Sequence, residues 1–108
     1  ATVDWNSKQI DGDTDEVLPM GDLAEKFAAF GWTVIVEEKG NDLTSVIEVL
    51  ERAKGMTGNG KPIVILLKTE MGNGVDFMMG THKWHGVAPN DEQLESALAQ
   101  NPETLGDY

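Results

Sequence analysis

The chain has 108 residues, 40% of them apolar, and a net charge of −11, which is enough for one domain with a modest core whose stability is expected to lean on a partner. The acidic balance argues against nucleic acid or an anionic membrane as partner, since both need a basic surface, and it equally serves solubility. The absence of cysteine excludes disulfides, thiolate metal sites and cysteine nucleophiles, and no apolar run approaches the roughly 20 residues of a membrane span.

Residues 1–5 read as a strand. Nothing precedes it, whereas a strand entering a parallel sheet normally follows a helix or a turn, so neighbours are expected upstream of these residues. No basic-then-apolar leader opens the sequence, and a cytoplasmic location fits. Residues 6–19 read as a long polar loop with two Gly/Asp turns. Residues 22–30 predict a helix with Leu23, Phe27 and Phe30 on one face, closed by Gly31 as a left-handed C-cap. Thr33-Val34-Ile35-Val36 is a short β-branched run, as in a buried strand.

Gly40-Asn41-Asp42 predicts a turn with Asp42 as N-cap. The helix that follows, residues 43–54, carries Leu43, Val46, Ile47 and Leu50 on its expected buried stripe. Residues 55–61 form a glycine-rich connection. Ile63-Val64-Ile65-Leu66-Leu67, within residues 62–68, is the strongest strand signal in the chain. Residues 69–89 read as a long loop rich in Gly, Met, His and Trp. Asn90 and Gln93 resemble a capping box for a last helix marked by Leu94, Ala97 and Leu98 and stopped by Asn101-Pro102. The polar tail, residues 103–108, is expected on a surface.

This order is β, α, β, α, β, loop, α. It predicts an α/β fold, a parallel sheet flanked by helices with right-handed crossovers. Ligands in such sheets bind outside the carboxyl ends of the strands. Two segments follow strand ends and carry chemistry, residues 4–12 and residues 69–86. In the first, Asn6 offers a side-chain carbonyl near main-chain carbonyls, hard oxygens that suit Mg²⁺ or Ca²⁺; an Asx-turn that only satisfies local backbone uses the same residues. In the second, Gly72 and Gly74 allow close backbone approach to a ligand, or simply a turn. His82 and His85, both histidines of the chain, flank Trp84. They offer metal ligation, phosphate donation or proton transfer near neutral pH, with aromatic packing and solvated histidines as the plainer alternative. A structureless loop of this length in a small domain is usually functional.

Four segments together resemble the transketolase family. Val3-Asp4-Trp5-Asn6 through Gln9-Ile10-Asp11-Gly12 is similar to its strand-Asp-x-Asn-…-Ile-Asp-Gly segment. Glu25 through Phe30-Gly31-Trp32 is similar to its helix ending in Phe-Gly-Trp. Lys61-Pro62, with Lys68-Thr69-x-x-Gly72-x-Gly74-Val75, resembles its Lys-Pro-strand-Lys-Thr-x-x-Gly-x-Gly-Val. Trp84-His85-Gly86-x-x-Pro89 resembles its Trp-His-Gly-x-x-Pro. They occur in family order and cover nearly the whole chain, with most likeness to the separately encoded N-terminal section of some bacteria.

The resemblance implies the later part, residues 1–108, of a thiamine-diphosphate-binding domain. It implies Mg²⁺ (or Ca²⁺) held by the Asn6 side chain and the Lys8 main-chain carbonyl, and Ile10, Met71 and Gly72 beside the cofactor. Met71 stands where the family often has Ile or Lys. His85 is implied as the catalytic residue, touching the diphosphate or a substrate hydroxyl, with His82 in support. The implied reaction moves a two-carbon ketol unit between sugar phosphates, as in the pentose phosphate pathway. The implied partners are the Gly-Asp-Gly half that carries the Asp metal ligand and a pyrimidine-binding domain, with homo-oligomerisation of the complete enzyme; these residues alone are expected to be inactive. A non-catalytic binding module, or part of a deoxyxylulose-phosphate synthase, stands as the alternative.

Overall fold

The computed structural model describes residues 1–101. In chain order it contains β1 (Thr2–Trp5), β2 (Lys8–Gln9), β3 (Gly12–Asp13), α1 (Thr14–Val17), α2 (Leu23–Ala29), β4 (Thr33–Glu37), α3 (Leu43–Gly55), β5 (Ile63–Lys68) and α4 (Asp91–Gln100), with a 3₁₀ turn at Lys83–His85. The tail at residues 103–108 lies outside the described residues.

A strand buried on both faces needs apolar side chains at nearly every position, and β5 meets that need. It occupies the centre of a parallel sheet of order β1-β5-β4. β1 pairs with it from Thr2↔Ile65 to Trp5↔Lys68, and β4 from Thr33↔Ile63 to Glu37↔Leu67. Alternation sends Ile63, Ile65 and Leu67 to one face and Val64 and Leu66 to the other. On the first face Ile65 packs with Ile35 and Val49, joined by Ala53, Met56, Ile63 and Leu67. Val64 and Leu66 are fully buried. The sheet, the flanking helices and the parallel register agree with the α/β expectation.

Local signals placed the helix starts. Asp42 accepts from Ser45 N at 2.8 Å, and Asp22 accepts from Glu25 N at 2.9 Å. Asn90 and Gln93 form the complete capping box, each side chain bonded to the other's main-chain N–H at 2.9 Å. Gly31 ends α2 with φ +84, its N–H donating to the Ala28 carbonyl.

Packing departs from the sequence expectation in four places. On α3 Val49 and Ala53 pack against the sheet and Val46 is half-buried, as expected, while Leu43, Ile47 and Leu50 are exposed by 73%, 52% and 47%. The apolar sector of this helix is two rows wide and the sheet covers only one. Phe30 is 82% exposed, because it is the C-cap of α2 (φ −83, ψ 7) and helical projection no longer applies there. Leu94 and Leu98 of α4 are exposed, and only Gln93 and Ala97 of that helix are half-buried among its described residues. Finally, the loop expected after β1 is partly ordered: β2 and β3 pair antiparallel, Lys8 with Asp13 and Gln9 with Gly12, and α1 follows directly. Two-residue strands are too short to show a period.

Candidate functional site

The parallel strands end together, so whatever follows β1 and β5 is brought side by side. Trp5 and Lys68 are register partners, and the Lys68 ammonium lies 3.7 Å from the centre of the Trp5 ring, a cation–π contact. One residue away on each strand, the Thr69 hydroxyl donates to the Asp4 carboxylate. Thr69 N also donates to the Trp5 carbonyl at 3.3 Å. The bases of the two chemically loaded segments are thus tied to each other.

From the β1 end, the first arm folds back on itself. Asn6 Oδ1 accepts from Lys8 N at 2.9 Å, the Asx-turn that the sequence left open. Ser7 takes φ +58, a left-handed conformation costly for any residue with a Cβ. The Ser7 carbonyl accepts from Thr14 N at 3.0 Å, and the Lys8 ammonium meets the Asp13 carboxylate at 2.6 Å. At the hairpin tip Ile10 is 61% exposed.

From the β5 end, the second arm is held by its own bonds and by contacts from elsewhere. Glu70 N donates to Asn41 Oδ1 and Gly80 N to Glu70 Oε1, each at 2.6 Å. Gly72 has φ +75, and a Cβ there would lie 2.6 Å from Met78 Cβ and 2.8 Å from the Met78 carbonyl oxygen. Its bare side is therefore filled by the chain's own backbone. Met71 is half-buried. Phe77 and Trp84 stack edge to face with ring centres 5.3 Å apart, and the Trp84 indole N–H donates to the Phe77 carbonyl at 3.0 Å. His85 N donates to the His82 carbonyl at 3.0 Å. His85 is exposed and His82 half-buried.

The arms meet again at their tips. A Cβ on Gly86 would lie 3.9 Å from Ile10 Cδ1, so the hairpin tip borders the Trp84-His85-Gly86 segment. Asn6, Lys8 and Ile10 on one side and His85 on the other therefore flank a single edge of the sheet, over β1 and β5. Met71 and Gly72 sit at the root of the second arm. An open cleft of about 650 Å³ lies beside this edge, between the ends of β4 and β5, lined by residues 38–42, 68–70 and Asn73. None of the candidate metal or histidine residues lines it.

Among the described residues no three His, Asp or Glu side chains converge as a metal site. A divalent ion would depend here on hard neutral oxygens. Asn6 Oδ1 has spent one lone pair on Lys8 N and retains another, and the main-chain carbonyl of Lys8 is a second oxygen of the same kind. The donors fit Mg²⁺ in type, as two of the roughly six that its octahedron requires; the others have to come from a phosphate, water or further protein groups. The hairpin, Asn41 and the Glu70 contact escaped the sequence reading. For Asn41 the only signal was its place in a Gly-Asn-Asp turn, which reports local geometry and no distant partner.

Comparison with known proteins gives one consistent answer. The profile of the family described as transketolase, thiamine diphosphate binding domain, matches residues 1–104. The chain is 35% identical over 105 residues to an apulose-4-phosphate transketolase polypeptide of Phocaeicola vulgatus, covering 97% of this chain and 36% of that polypeptide. It is 34% identical over 94 residues to transketolase 1 of Escherichia coli, covering 87% of this chain and 14% of that protein. A crystal structure of the transketolase of Pichia stipitis in complex with sedoheptulose-7-phosphate superposes with a TM-score of 0.80 at 26% identity, over 93% of this chain and 14% of that one. The chain spans about a third of the length of the Phocaeicola polypeptide. No helix among the described residues is long and apolar enough to cross a membrane.

Proposed function

The chain belongs to the transketolase family, through its thiamine diphosphate binding domain, and from that premise we propose that it supplies two arms of a cofactor site for ketol transfer between sugar phosphates. The observation that supports this best is the meeting of the arms over β1 and β5, with Ile10 against Gly86 and Thr69 bonded to Asp4. Carboxyl ends of parallel strands are where such sheets take ligands.

In this reading Asn6 and the Lys8 carbonyl hold Mg²⁺ against a diphosphate. The Lys8–Asp13 pair (2.6 Å) keeps the ammonium engaged within the hairpin, so Lys8 serves through its main chain. Ile10, Met71 and Gly72 border the cofactor, and His85 donates to a diphosphate oxygen or a substrate hydroxyl from an exposed position. Thiamine diphosphate, when bound, supplies the carbon nucleophile that carries the two-carbon unit from a ketose to an aldose. The chain contributes orientation and donors; its 108 residues contain no Gly-Asp-Gly segment. The Asp metal ligand, the pyrimidine-binding domain and a homo-oligomeric, cytoplasmic setting are assigned to the complete enzyme.

The test is Mg²⁺-dependent binding of thiamine diphosphate by the native assembly. Asn6→Ala is expected to weaken binding about tenfold or more, as removal of groups that serve a metal does. Asn6→Asp, which keeps the oxygen, restores much of it. Unchanged affinity in Asn6→Ala rules out the metal arm.

A further inference from the structure

The arm that carries both histidines is glycine-rich, and its own sequence does little to place it. Gly72, Gly74 and Gly80 adopt φ +75, +95 and +70; glycine enters that region freely, and equally leaves it. Two hydrogen bonds in series supply what the glycines do not. Gly80 N donates to Glu70 Oε1, and Glu70 N donates to Asn41 Oδ1, both at 2.6 Å. Asn41 itself stands on a fixed base. The preceding Gly40 donates to the Lys68 carbonyl at 2.8 Å, and fits so closely that a Cβ would lie 2.5 Å from that oxygen. Beyond Gly80, the Trp84–Phe77 bond (3.0 Å) and the His85–His82 bond (3.0 Å) carry the placement to the backbone of His85.

We infer that Glu70 and Asn41 are positioning residues for His85: the Glu70 carboxylate latches the histidine arm through Gly80, and Asn41 sets the backbone from which that carboxylate projects. The assignment to His85 rests on the function proposed above, whereas the latch itself is independent of any cofactor. A carboxylate holds an amide N–H more strongly than a neutral oxygen does, and the amide of Gln keeps the acceptor while Ala removes it.

Hydrogen exchange on the chain in its native assembly, with and without thiamine diphosphate and Mg²⁺, tests both parts. Glu70→Ala should speed exchange at the Gly80 amide about tenfold, the loss of one charge-assisted bond, and leave unchanged the hairpin amides of residues 8–13 that open without breaking the latch. Glu70→Gln should exchange more slowly than Glu70→Ala. Asn41→Ala should act in the same direction, and Asn41→Asp should restore the wild-type pattern. Cofactor affinity should fall in both Ala variants and recover in Glu70→Gln and Asn41→Asp. Unaltered Gly80 exchange in Glu70→Ala overturns the latch. Faster exchange with unaltered cofactor affinity overturns the link to His85. A wild-type assembly that binds no cofactor defeats the proposed function, and the Gly80 amide still decides the latch.

Discussion

The two arms of the site differ in what holds them. The hairpin arm holds itself: Asn6 to Lys8, Lys8 to Asp13 and Ser7 to Thr14 are all bonds within a few residues. The histidine arm has bonds of its own but is also held from a distance, by Asn41 at 29 residues from Glu70, and by Gln100 and Asn101 at 24 and 27 residues from Asp76 and Gly74. A self-bonded arm keeps its shape wherever its root is fixed. An arm pinned by remote partners takes its shape only when α3, α4 and the sheet are all in place. The difference teaches where the site is robust and where it can be tuned.

The largest effect should come from the sheet that both arms share. Leu66 is fully buried on β5, and Leu66→Ala should cost about 2–5 kcal/mol, the lost transfer energy plus a cavity. Denaturant titration should show both arms losing structure in one transition. Separate transitions would break the comparison, because the hairpin would then be independent of the sheet.

Next comes a change confined to the histidine arm. Gly72→Ala forces a left-handed alanine whose Cβ would meet Met78 at 2.6 Å, and should destabilise by about 2 kcal/mol or more. The Trp84 fluorescence should change while the Lys8–Asp13 hairpin stays intact, as read by chemical shifts of residues 6–13. A disturbed hairpin would show that the arms are coupled through more than their roots.

Ser7→Gly should sharpen the other side. Ser7 pays for φ +58, about 1–2 kcal/mol for a residue with a Cβ, and glycine removes that cost while adding chain entropy of about 0.5–1 kcal/mol. The net expectation is a small gain in stability measured by thermal denaturation, with the histidine arm unaffected.

How much of this was legible follows the same division. The strands β1, β4 and β5 and the caps Asp42 and Asn90 were readable, since each depends on neighbours within a few residues. The face of α3 was not. Leu43, Ile47 and Leu50 satisfy the helical period as well as Val46, Val49 and Ala53 do, and only the position of the sheet chooses between them. Asn6 was readable as a turn residue or an oxygen ligand, and the structure shows the turn, its Oδ1 accepting from Lys8 N with a second lone pair left on that oxygen. Asn41 and Glu70 carried no pattern at all, because their partners lie far along the chain.

The smallest effect concerns pH at the turn that anchors Asn41. Hydrogen bonds from the Ser45 main-chain N–H and hydroxyl, with help from Lys39, hold the Asp42 carboxyl below its ordinary value. A carboxyl depressed on folding contributes stability above its unfolded pKa, and that contribution fades as pH falls through the folded value. Acid titration of the α3 N-terminus should therefore show fraying only below the usual carboxylate range, and Asp42→Asn, which keeps a capping oxygen, should abolish that pH dependence.

The central claim is that these residues form part of a thiamine diphosphate site and need complementary groups to complete it. Isothermal titration of the 108-residue chain with thiamine diphosphate and Mg²⁺ addresses it most directly. The expected result is weak or no binding by the chain alone, with binding restored when protein carrying the Gly-Asp-Gly segment and the pyrimidine-binding domain is added. Micromolar affinity in the isolated chain would contradict the account.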